Sequence, residues 1–109
     1  MPTVYMVEGD LKPIIQATLR DTARALISLA GATVKFHMKN GSNLLIDKSG
    51  SIVDNNGIVK YEWQAGDTYD LGGYEWVAEF EVTFAATKKQ TFPAKEEEEL
   101  VIVFREKYA

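Results

Sequence analysis

The chain has 109 residues, 46% hydrophobic and 26% charged, with a formal net charge of −4 and no cysteine. That length supports a single domain, residues 1–109, with room for one core. Disulfides and thiolate chemistry are excluded, and an acidic chain whose lysines and arginines are scattered is not expected to take nucleic acid as a partner.

In chain order, MPTVYMVEGD lacks the basic and continuously apolar parts of a signal peptide. No apolar run approaches the roughly eighteen residues of a membrane span, so no membrane insertion is expected. Thr3–Val7 is a β-branched and aromatic run closed by the turn cluster Glu8-Gly9-Asp10. Pro13 precedes Ile14–Arg20, where Ile15, Ala17 and Leu19 alternate with polar residues as in a strand. Asp21–Ala30 fits a helix capped at Asp21 or Thr22, or a turn with a short edge strand at Leu26–Leu29; the second reading is preferred. Thr33–Lys39 turns Val34, Phe36 and Met38 inward and Lys35, His37 and Lys39 outward, before an Asn40-Gly41 turn. Leu44–Asp47 and Ser51–Asp54 are short strands around Lys48-Ser49-Gly50, and Asn55-Asn56-Gly57 is a tight turn. Ile58–Trp63 places Val59, Tyr61 and Trp63 on one side. After the loop Gln64–Gly73 comes Tyr74–Phe84, then a polar turn, the extended Thr91-Phe92-Pro93, the charge run Lys95–Glu99 and a closing strand, Leu100–Phe104.

Tyr74–Phe84 dominates this pattern. Tyr74, Trp76, Ala78, Phe80, Val82 and Phe84 share one face, while Glu75, Glu79 and Glu81 share the other with Val77 and Thr83. A period of two over that length is a strand buried on one side, the habit of antiparallel sheets. Short strands at turn-rich intervals predict an all-β sandwich or barrel. The expected core comprises Phe36, Tyr61, Trp63, Tyr74, Trp76, Phe80, Val82 and Phe84. Tyr74, two residues before Trp76, stands where immunoglobulin-type sandwiches carry a tyrosine corner, whose hydroxyl bonds back to upstream backbone. The expected fold is therefore an immunoglobulin-like antiparallel β-sandwich of about seven to nine strands.

The run from Gly57 to Thr68 (GIVKYEWQAGDT), followed by Gly73-Tyr74 and Glu79–Phe84, resembles the N-terminal domain of phage baseplate upper proteins. Gly31–Val34 with Phe36 and Met38, and Thr91-Phe92-Pro93, fall in the matching order. The resemblance implies an immunoglobulin-like, non-enzymatic tail-tip or baseplate protein. It would be made in the host cytoplasm and carried in the virion tail, with other tail or baseplate proteins, or copies of itself, as partners.

The residues offer little chemistry of their own. His37, the one histidine, reads as a surface residue beside Lys35 and Lys39. Glu75, Glu79 and Glu81 read as a solvated face with lysines across the sheet rather than a catalytic pair. Asp54, Asp67 and Asp70 read as turn formers rather than calcium ligands, and Glu96–Glu99 as a solvated loop rather than an acidic docking tail. Tyr61 and Trp63 read as core rather than a sugar-stacking platform. No catalytic, cofactor-binding or metal-binding residue is assigned, and no cofactor is expected. Ile58 and Val77 are the candidate contact surface. The expectation is a phage structural or assembly protein acting through protein–protein contacts; the alternative is a module recognising host-surface carbohydrate or a host protein.

Overall fold

The computed structural model describes residues 3–20, 25–40, 43–84, 88–93 and 100–108. The proposed cap at Asp21 or Thr22, Gly41 of the expected turn and the charge run Lys95–Glu99 lie outside the described residues. The described residues form nine strands: β1 (Thr3–Val7), β2 (Ile15–Thr18), β3 (Thr33–Asn40), β4 (Asn43–Ser49), β5 (Ser51–Asp54), β6 (Ile58–Tyr61), β7 (Glu75–Thr83), β8 (Lys89–Phe92) and β9 (Leu100–Arg105). One sheet runs β1-β9-β7-β3-β4, with β8 also pairing with β7; the other runs β2-β6-β5. Every pair of neighbouring strands is antiparallel except β1 and β9, which are parallel. The fold is an immunoglobulin-like β-sandwich.

The sequence period explains the layers. Along β7, Trp76, Ala78, Phe80 and Val82 are buried while the residues between them are half-buried. β3 pairs with β7 so that Val34 faces Val82, Phe36 faces Phe80 and Met38 faces Ala78. Opposed residues point to the same side of a sheet, so these pairs build one apolar wall. β9 and β8 share the far side of β7, β9 pairing with residues 75–78 and β8 with residues 80–83. The smaller sheet answers with Ile15, Val59 and Tyr61, each at most 2% exposed.

Aromatic rings join the layers. Phe36 from the large sheet stacks on Tyr61 from the small one, with centroids 4.5 Å apart and planes 9° from parallel. Phe80 lies 5.2 Å from Phe36, and the edge of Trp63 meets both Phe36 and Tyr61. Burying each such ring contributes roughly 1.5–3 kcal/mol before packing gains are counted.

Phe36, Tyr61, Trp63, Trp76, Phe80 and Val82 are buried, and Phe84 is half-buried where β7 ends. Tyr74 corrects the expectation. It is 57% exposed, and its hydroxyl makes no hydrogen bond with a described residue. Tyr74 has the parity of Trp76 but precedes the strand. Its N–H donates to the Leu71 carbonyl across a turn, following Gly73 at φ 87°, so the two-residue period no longer governs its side chain. Ile58 and Val77, proposed as contact surface, are half-buried. The expected Leu26–Leu29 strand reduces to a single bridge between Arg20 and Leu26.

Phe36→Ala and Phe80→Ala are each expected to cost about 3–5 kcal/mol in urea unfolding, the usual price of emptying an aromatic core site. Tyr74→Phe is expected to change stability by less than about 0.5 kcal/mol, as for surface substitutions. A larger loss there would restore the corner.

Candidate functional site

The residues between β6 and β7 form a long loop, the cap, and a buried carboxylate organises it. Asp67 Oδ2 accepts from the Tyr61 hydroxyl at 2.5 Å and from the Gln64 N–H at 2.8 Å. Its Oδ1 accepts from Lys48 Nζ at 2.6 Å. The Asp67 side chain is 4% exposed. Burial pushes its carboxyl pKa up, but the three donors together outweigh burial and hold it below the ordinary 3.8. Burial first, and then the neighbouring carboxylate, push the Tyr61 phenol above its ordinary 10. Asp67 is thus a buried anchor as well as a turn former. Nothing in Gly66-Asp67-Thr68 marked it apart from Asp54, whose carboxylate caps the Asn56 N–H, or Asp70, which turns the chain at φ 59°.

The cap is tied to the turn after β1. The Thr68 hydroxyl donates to the Asp10 carbonyl at 2.8 Å, and the Gly9 N–H donates to the Thr68 carbonyl at 2.9 Å. Glu8 accepts from the Gly72 N–H at 2.9 Å and from the Lys107 N–H at 3.2 Å. Glycine is required at 72, because a Cβ there would lie 2.7 Å from the Cα of Glu106.

On the outer face of the large sheet His37 is half-buried and bracketed by two carboxylates, a correction to its reading as a surface residue beside Lys35 and Lys39. Nδ1 lies 3.1 Å from Glu79 on β7, and Nε2 lies 3.1 Å from Asp47 on β4. Lys35 Nζ is 3.3 Å from Asp47, and its hydrogen bond is the main cause holding that carboxyl below its ordinary range. Glu81 faces Lys35 in register, with Lys89 Nζ 3.9 Å away, so this acidic face carries its cations across the strands. Among the described residues no three His, Cys, Asp or Glu side chains are grouped to hold a metal ion.

A different character appears along β1. A groove of about 410 Å³ is lined by Tyr5, Met6 and Val7 of that strand, by Val103 and Arg105 of β9, and by Asp10, Lys12 and Pro13. The parallel register sets Tyr5 beside Val103 and Val7 beside Arg105. The far wall is fixed from within, since the Trp63 indole N–H donates to the Pro13 carbonyl at 2.9 Å. Lys12 makes no hydrogen bond or ion pair with a described residue, although its charge reaches Glu62, which Lys60 holds at 2.6 Å. The Arg105 guanidinium lies 4.5 Å above the Tyr108 ring, and Nη1 donates to the Glu106 carbonyl. Asp10, the one acid on the groove, stands 3.7 Å from Lys107 Nζ. None of these residues stood out in the sequence, because strands some hundred positions apart build the groove.

Tyr61→Phe is expected to cost about 1.5–3 kcal/mol at neutral pH, the range for a hydrogen bond to a charged group. The Asp67 contribution, from a depressed folded pKa, is present above about pH 3.9 and is lost as pH falls through the lower folded value. The Tyr61 contribution, from a raised folded pKa, is present below about pH 10 and is lost as pH rises through the higher folded value. Unfolding midpoints against pH check both: the variant should lose the alkaline limb and flatten the acid one.

No family model matches the chain, and no curated protein matches it. Among solved structures it is similar to CopC from Methylosinus trichosporium OB3b, with a TM-score of 0.50 and 9% identity, covering 100% of this chain and 89% of that one. At that identity the likeness is one of fold. It leads to CopC and not to a baseplate protein, which corrects the expected role in a phage tail.

Proposed function

We propose that the chain is a non-catalytic binding domain whose working site is the groove along β1, and that its ligand is a small molecule held by contact. The observation that carries this reading is the contrast between the groove and the other polar clusters. Asp67 accepts three donors, and His37 has a carboxylate at each nitrogen. Side chains so committed bind one another rather than a substrate. The groove instead sets apolar walls beside Lys12, which has no hydrogen-bond or ion-pair partner among the described residues. Its volume of about 410 Å³ falls within the roughly 300–1,000 Å³ typical of small-molecule sites. A formal charge of −4 disfavours nucleic acid as an alternative partner.

The test is an amide NMR titration against a library of small anionic, neutral and cationic compounds. Shifts should concentrate at Tyr5, Met6, Val7, Val103 and Arg105, with the bound compound recovered unchanged. Absence of any response at those residues, or chemical conversion of the compound, would overturn the proposal.

A further inference from the structure

We infer that the groove selects an organic carboxylate with an apolar body, an inference that rests on the groove being the binding site. The first support is charge. In a chain of net charge −4 this groove carries Lys12 and Arg105 against Asp10 alone, and Asp10 already has Lys107 at 3.7 Å. A neutral ligand would leave that excess cation uncompensated, and a cationic ligand would be repelled.

The second support is geometry. Arg105 spends Nη1 on the Glu106 carbonyl, while its Nη2 and Nε make no hydrogen bond with a described residue. A guanidinium held over the Tyr108 ring at 4.5 Å is oriented on one face, so its remaining donors form a fixed edge suited to a planar carboxylate. Lys12 adds a second positive charge to the lining.

The third support is the lining. Tyr5, Val7, Val103 and Pro13 offer an apolar bed beside these cations. Tyr5 is 75% exposed, so its ring is free to cover a ligand's apolar body. A bare inorganic anion would use the cations and waste the bed. The occupant is therefore a free small molecule joining both features, an aliphatic or aromatic monocarboxylate.

The experiment compares 3-phenylpropionate with 3-phenylpropanol, 3-phenylpropylamine and acetate by NMR titration of the intact chain. The aromatic acid should bind about tenfold or more tightly than the alcohol, the worth of one charge-assisted hydrogen bond. The amine should not bind, and acetate should bind more weakly than the aromatic acid. Lys12→Glu and Arg105→Glu should each weaken the acid by about tenfold or more, with Arg105→Lys restoring only part of the loss. Unchanged thermal melting of each variant excludes misfolding, and Lys12→Met, which removes the charge without reversing it, should also weaken the acid. Equal affinity for acid and alcohol at the groove would overturn the carboxylate inference and leave the binding site standing. No binding by any of the probes would overturn the carboxylate inference, whereas the binding site itself falls only if the wider library also leaves the groove residues unshifted. Capture of a peptide's C-terminal carboxylate without the small acids would overturn the free-molecule occupant.

Discussion

The contact on which this sandwich depends is the stack of Phe36 on Tyr61, because it is apolar at one end and ionic at the other. The ring faces bond the two sheets through dispersion and excluded water, and neighbouring Phe80 and Trp63 close around them. The Tyr61 hydroxyl then leaves the core and meets Asp67, which also collects Lys48 and the Gln64 N–H. A buried carboxylate without donors would be strongly destabilising, whereas one with three donors fixes the path of its loop. Thr68 carries that path to Asp10, and Asp10 lines the groove. A continuous series of contacts thus links the centre of the core to the wall of the proposed site.

The two polar faces of the molecule have different purposes in these terms. On the outer face of the large sheet Lys35, His37, Asp47, Glu79, Glu81 and Lys89 satisfy one another across β4, β3, β7 and β8. Such cross-strand pairing keeps a sheet soluble and in register. Along β1 the charges are fewer and less balanced, and they border apolar surface. Recognition belongs where electrostatic satisfaction is incomplete.

The fold was legible because its main signal is local. Alternation in Thr33–Lys39 and in Tyr74–Phe84 needs only neighbouring residues to declare a buried face, and both stretches form strands with that face inward. Tyr74 was misread for the same reason: periodicity cannot tell where a strand starts, and this one starts at Glu75. The tyrosine that does pin the cap is Tyr61, assigned to the core correctly but with no hint of its carboxylate acceptor. Asp67 lies six positions away, and its importance comes from burial, which its likeness to the turn aspartates Asp54 and Asp70 conceals. The partners of His37 were hidden by register, since Asp47 and Glu79 face it only once β4 and β7 are laid on either side of β3. The groove was least legible, because it depends on a parallel pairing with no short-range signature.

That parallel pairing has a consequence for how the molecule is made. Among the described strands β1 is the first in chain order, and its neighbour in the sheet, β9, is the last. No other strand among the described residues offers β1 a hydrogen-bonded edge. During synthesis Thr3–Val7 must therefore wait, with Tyr5 and Val7 unpartnered, while the rest of the sandwich assembles. Contacts between such distant positions are entropically late, as topology-limited folding requires. Since both strands line the groove, its walls come together only once β9 has docked on β1. Ligand occupancy would then report that the pairing of β1 with β9 has closed.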